Sequence, residues 1–381
     1  MIKKAILGLA VAGMVGFGAA PVAAQVPVLT KDAEFPEGFG LLSTVRELAD
    51  GRVMVADPLG QILGILDMAS GSMEILGKEG PGPDEYRQPD AVFELPGDST
   101  LLVDLGNSRL TVIDPEGTFA RTMPLTRGSP GRRGLGGLQI LIPRAVDERG
   151  RIYYQPPSFG AAGDSASVTR FDPVTDASDV LAKVKPAGIR RTGSGDNVQI
   201  RQEQMSPRDD WAVGSDGSIA LVRSDGYYVQ IVHTDGRVAT GPKVEHRLLR
   251  PRDADKLAYL EATRAAGLSI SAEVGPSGMQ MNMSRGGSGR DPDINAVEWP
   301  DRMPAFQAGS AIIDPAGRVW VARTTRAGED TLYDVFDGEG RKMGEVILAP
   351  NSNVTGFGSG TAYIVRTDEF GLQWLSRYKI A

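Results

Sequence analysis

Charged residues recur in this chain at one fixed spacing. Six positions after a turn residue, at the end of a short apolar run, stand Asp57 (after Gly51), Asp104 (after Asp98), Arg223 (after Gly217), Arg323 (after Gly317) and Arg366 (after Gly360), with Pro156 in the same place after Gly150. Arginine grips carboxylate or phosphate through a planar fork, so three arginines at equivalent positions suit a small anionic ligand. The same residues could instead pair with neighbouring acids and tie structural units together. Arg132, Arg133, Arg190, Arg191, Arg201 and Arg208 add positive charge in the longer connections nearby.

Other chemistry is thin. His233 and His246 are the only histidines, and each closes an apolar run beside a turn, where a surface role is expected. There is no His-Glu-x-x-His and no Gly-x-Ser-x-Gly. Asp291, Asp293 and Asn295 imitate the start of a calcium loop, but Ala296 replaces its glycine and Arg302 its bidentate glutamate. With no cysteine, disulfides, thiolate metal sites and a cysteine nucleophile are excluded. The net charge of −7 argues against general nucleic-acid binding, which needs a basic footprint.

The elements that must position these residues are strands. Gly51-RVMVA, Asp98-STLLV, Gly150-RIYYQ, Gly217-SIALV, Gly317-RVWVA and Gly360-TAYIV each have an apolar run before the turn and a third run after it. Most third runs end in a turn such as Asp114-Pro-Glu-Gly117 or Asp337-Gly-Glu-Gly340, and a fourth run follows. A four-stranded antiparallel meander cannot bury both faces alone, whereas copies packed face to face around an axis can. The pattern predicts an all-β, six-bladed β-propeller. Its last copy ends at Ala381 without a fourth strand, so Val26–Thr30 is expected to pair with Leu372–Tyr378 and close the ring.

Gly80-Pro-Gly-Pro-Asp-Glu-Tyr-Arg-Gln-Pro89, then Leu102-Val-Asp104, then Asn107-Ser-Arg109-Leu-Thr-Val-Ile-Asp114 resembles an NHL repeat. The full match covers one blade; the other blades keep the hairpin and lose Asn-x-Arg. The chain as a whole resembles the bacterial exported six-bladed propellers related to NHL proteins. That resemblance implies the fold, and it adds Asn107 and Arg109 to Asp57, Asp104 and the three arginines as ligand-binding candidates.

The ends and the insertion complete the organisation. Lys3 and Lys4, the apolar run Ala5–Val15 and Val22-Ala-Ala24 read as a signal peptide over residues 1–24, leaving 25–381 as the propeller. The expected location is the periplasm or the cell exterior, as a monomer with no membrane anchor once the signal is removed. The interval from Gly217 to Gly317 is far longer than the others, and residues 249–303 hold the excess. Pro251–Ala266 reads as a helix stopped by Gly267. The stretch after it shows no matched hairpin and is either a lid or a solvated loop. It and the connections Leu76–Pro89, Thr126–Pro143 and Lys185–Asp210 should emerge on one face, opposite the tight turns. The expected function is a non-catalytic binding propeller for a protein or a small anion, with no cofactor. The alternative is a metal-dependent lyase or lactonase-like hydrolase of the propeller type. Asp57, Asp104 and Asn107 could contribute to its metal, although three arginines on the same rim would repel a cation.

Overall fold

The computed structural model describes residues 25–128, 138–157, 165–192, 199–275, 278–286 and 292–381. The signal-peptide reading, Arg132, Arg133, Asp291 and the side chains of Arg190, Arg191 and Arg201 lie outside the described residues.

The chain forms six antiparallel sheets of four strands each. Blade one comprises Val45–Glu47, Val53–Asp57, Ile62–Asp67 and Ser72–Ile75; blade two comprises Pro89–Leu95, Ser99–Asp104, Arg109–Ile113 and Phe119–Pro124. Blade three is Ala145–Val146, Ile152–Tyr154, Ala166–Asp172 and Ala177–Val184, and blade four is Asp210–Val213, Ile219–Arg223, Tyr228–Val232 and Val238–Thr240. Blade five is Phe306–Ile313, Val319–Arg323, Thr331–Phe336 and Lys342–Leu348. In blade six, Ser352–Gly358, Thr361–Thr367 and Gln373–Ile380 are joined by Leu29–Glu34 from the other end of the chain.

Strand periodicity explains the packing. Alternate side chains leave opposite faces of a sheet, so each blade feeds two interfaces. Val53 and Val55 pack with Tyr363 and Val365 of blade six, while Met54 and Ala56, the residues between and beyond them, pack with Val92 and Leu102 of blade two. Further clusters fill the remaining interfaces, including Val103 with Ile152 between blades two and three, and Val222 with Val321 between blades four and five. The turns between first and second strands need positive φ, which glycine supplies at Gly51 (φ 83°) and Gly317 (φ 77°). At the turn of blade two both Gly97 (φ 73°) and Asp98 (φ 58°) are left-handed.

Ring closure occurs as expected in kind, with a corrected register. The closing strand is Leu29–Glu34, running from Leu29 opposite Ile380 to Glu34 opposite Ser376. The apolar run Val26–Leu29 drew the expected boundary too early. Val26 packs beside the interface between blades five and six, and the ladder continues over Lys31–Glu34, whose polar side chains are compatible with an outer strand. Asp32 there pairs with Arg377 at 2.6 Å and Lys379 at 3.0 Å.

The insertion also differs from its reading. The helix is present as Asp253–Ala266, but a hairpin follows it, Leu268–Gly275 with Gly278–Arg285. Its strands were illegible because Gly, Ser and Met dominate the second of them. Among the described residues no helix is long and apolar enough to cross a membrane.

Candidate functional site

Splaying six sheets around an axis leaves a central channel walled by their first strands. A cavity of about 770 Å³ occupies it, and every blade contributes to the wall, through Glu47, Phe93, Val146, Val213, Ile312 and Phe357 among others. The cavity extends to the first-to-second strand turns, where Ala49, Ser215, Pro315 and Ser359 are exposed around its mouth. Its volume falls within the range of small-molecule sites.

Charge in the wall is mostly paired. Arg46, only 4% exposed, donates to Asp98 and Thr100, the short bonds crossing from blade one to blade two. Burial lowers its pKa, and its Nε is left without a partner. Arg144 meets Asp210 at 2.7 Å and lies over the Trp211 ring at 4.7 Å. Asp210 also accepts from Ala311 N (2.9 Å) and Ser310 Oγ (3.2 Å), so this one acid links blades three, four and five. Asp314 accepts from Arg318 Nε (2.6 Å) and Trp320 Nε1 (3.0 Å). Glu47 has neutral donors instead: Ser359 N at 2.9 Å, and Thr361 Oγ1 and Tyr363 Oη both at 2.5 Å. Burial, reinforced by Glu47, raises the Tyr363 pKa, so the phenol keeps its proton and remains the donor.

The insertion lies across the loop-rich side. It leaves blade four, and the buried Asp255 at its helix start takes Arg326 Nη1 at 2.8 Å and Ala327 N at 2.9 Å from a loop of blade five. The hairpin then reaches blade two. There Arg285 forms a fork on Asp90 (2.6 and 2.7 Å), and Gln88 donates to Arg285 O and accepts from Arg285 N. Met283, 4% exposed, enters the core shared by blades two and three. The insertion thus starts between blades four and five, is tied to blade five by Asp255 and is fastened to blade two by Arg285, on the side opposite the tight turns.

Asp90 is 2% exposed, and removing one member of a buried ion pair costs about 3–5 kcal/mol. Asp90→Ala should therefore release the hairpin and speed tryptic cleavage after Arg285 by at least about tenfold while the blades stay folded. An unchanged cleavage rate would show that the pair does not hold the hairpin.

The residues singled out by spacing occupy the opposite face from the tight turns, and apart from Arg366 their polar atoms are engaged. Asp57 accepts from Gly40 N (2.6 Å), Leu41 N (3.0 Å), Leu59 N (3.0 Å) and Gly60 N (2.9 Å). Asp104 accepts from Arg87 N, Gln88 N and Asn107 N, and from Asn107 Nδ2 at 2.7 Å. Asn107 also donates to Gly80 O, and Arg109 to the carbonyls of Pro81, Gly82 and Glu85. The NHL-like set thus holds the Gly80–Gln88 connection in shape. Arg223 pairs with Asp209 at 2.8 Å and donates to Lys183 O and Gln230. Arg323 pairs with Glu345 at 3.0 Å and Asp334 at 3.5 Å, and Arg366 is exposed. No acid is shared between Arg223 and Arg323.

His233 Nε2 is a buried nitrogen without a hydrogen-bond partner, and His246 packs edge-on against Tyr227. Among the described residues no three His, Asp or Glu side chains are placed to share a metal ion. The channel-wall residues Arg46, Glu47, Glu94 and Arg144 were missed from the sequence. Their signal was available, since they lie in or just before the first strand of each repeat, the strand nearest the axis.

No family model and no curated protein matches this chain. Solved structures do resemble it in fold. The gluconolactonase XC5397 from Xanthomonas campestris is 12% identical, with 93% of this chain and 94% of that chain covered and a TM-score of 0.42. Regucalcin, a calcium-binding protein from Agrobacterium tumefaciens, is 11% identical over 92% and 95%, with a TM-score of 0.43. A catalytically inactive virginiamycin B lyase from Staphylococcus aureus is 10% identical over 93% and 100%, with a TM-score of 0.37. Likeness at this level carries no argument about function.

Proposed function

We propose that this chain is an exported binding propeller that admits a small ligand to its central channel from the tight-turn face. The supporting observation is the cavity of about 770 Å³ walled by all six blades and reaching the tight turns, while the insertion is fastened on the loop-rich side. The rim arginines expected to hold an anion have their own acids in blades four and five. The channel is therefore the better-supported site.

The metal-dependent alternative needs free ligands. Asp57 and Asp104 do not fit that role, because their oxygens are already filled by backbone and Asn107 donors and Arg109 Nε lies 3.4 Å from Asp104. A cation there would have to displace those bonds.

An uncharged apolar dye, Nile red, tests the channel. It should bind saturably at one site per chain, and bulk at the mouth, Ala49→Trp with Ser359→Trp, should abolish the binding. Retained dye binding in that variant would contradict the site. One tightly held divalent ion per purified chain would favour the metal-dependent alternative.

A further inference from the structure

Charge balance in the channel wall specifies a ligand class. Three charge pairs in or against the wall cancel: Arg46 with Asp98, Arg144 with Asp210, and Asp314 with Arg318. Two carboxylates remain. Glu94 is exposed in the cavity; Arg46 interacts with it electrostatically, but that guanidinium is already engaged by Asp98 and Thr100. Glu47 is half-buried, and its three donors are all neutral, so they orient the carboxylate without cancelling its charge. A carboxylate offers about four acceptor sites, which leaves one open at Glu47.

The rest of the wall combines apolar and aromatic side chains with a few hydroxyls, among them Thr44 and Thr355. Phe93, Phe357, Ile312 and Ile313 are each only partly buried although they line the cavity. Side chains of this kind gain from contact with an apolar body, and aromatic faces also attract cations. The wall already shows such a contact, in Arg144 over Trp211.

We infer that the channel binds a small organic cation with an apolar body, its ammonium group against Glu94 and Glu47 and its body against Phe93 and Phe357. The inference rests on the channel being the ligand site. An anion there would meet two uncompensated carboxylates inside a concave site, which repel it.

Three probes of matched shape separate the possibilities: 4-phenylbutylamine, 4-phenylbutanol and 4-phenylbutyrate. Titration calorimetry should give the order amine, then alcohol, with no binding of the carboxylate. Glu94→Gln should weaken the amine about tenfold, as loss of one charge-assisted contact does, and leave the alcohol unchanged. The Glu94 side chain is exposed and forms no hydrogen bond among the described residues, so the variant is expected to be folded, which its melting midpoint checks. Equal or tighter binding of the alcohol or the carboxylate, displaced by Nile red, would overturn the cation assignment and leave the channel standing. Binding of none of the three at millimolar concentration, together with failure of Nile red, would overturn both.

Discussion

Removing residues up to Glu34 is expected to abolish cooperative folding. Leu29–Glu34 supplies the outer strand of blade six, and its ladder to Gln373–Ile380 closes the ring non-covalently across the chain ends, continued by Phe35 N on Leu375 O and by the paired backbones of Phe39 and Gln373. Truncation would strip the ion pairs of Asp32 and the Glu34–Ser376 hydrogen bond, and would bare an eight-residue edge strand. Such an edge templates pairing between molecules. Loss of one of four strands in a blade should cost more than about 5 kcal/mol, comparable with the whole stability of a typical domain. The truncated chain should elute as aggregate and lack a sharp melting transition. A peptide of residues 25–34 added in trans should recover part of that transition. A truncated chain that stays monomeric with an unchanged midpoint would show that the closing strand is dispensable.

The second large effect is expected at Asp334. It is fully buried in blade five and accepts from Tyr227 Oη of blade four at 2.5 Å, from Lys342 Nζ at 2.6 Å and, more distantly, from Arg323. Burial and this carboxylate raise the Tyr227 pKa well above its ordinary value, so the phenol stays protonated and donates. Asp334→Ala would strand the buried Tyr227 hydroxyl beside a void and leave Arg323 and Lys342 with Glu345 as their shared acid, at a cost of about 3–5 kcal/mol. Chemical denaturation should show this loss. The triple replacement Asp334→Leu, Tyr227→Phe and Lys342→Met should recover much of it, because apolar groups of matched shape leave nothing unsatisfied. A midpoint for Asp334→Ala within experimental error of the parent would refute the tie.

The propeller was legible because its signal is repeated. A glycine or Gly97-Asp98 turn, a period of two and a missing fourth strand each recur or agree, and each is a local backbone demand that residue types reveal. The insertion hairpin was not legible. Gly278–Arg285 has little β-branched character, and it is fixed by tertiary contacts, Arg285 on Asp90 and Met283 in a distant core, that no local pattern announces. The rim residues show a different limit. Equal register places Arg223 and Arg323 equivalently, as spacing implies, but whether an arginine is free depends on acids elsewhere, Asp209 before the blade and Glu345 on its fourth strand. Spacing reports position, and partners decide availability. The same holds for Asp57 and Asp104, whose types suggest ligands while their bonds make them loop organisers.

The chain's lack of cysteine allows the central claim to be tested directly. A single cysteine at Thr355, half-buried in the channel wall on blade six, would report access to the cavity. Its reaction rate with N-ethylmaleimide should fall sharply when Ala49→Trp and Ser359→Trp crowd the tight-turn mouth. It should be unchanged when Asp90→Ala releases the insertion. A rate indifferent to the crowded mouth and raised by releasing the insertion would place the entrance on the loop-rich face and contradict the account.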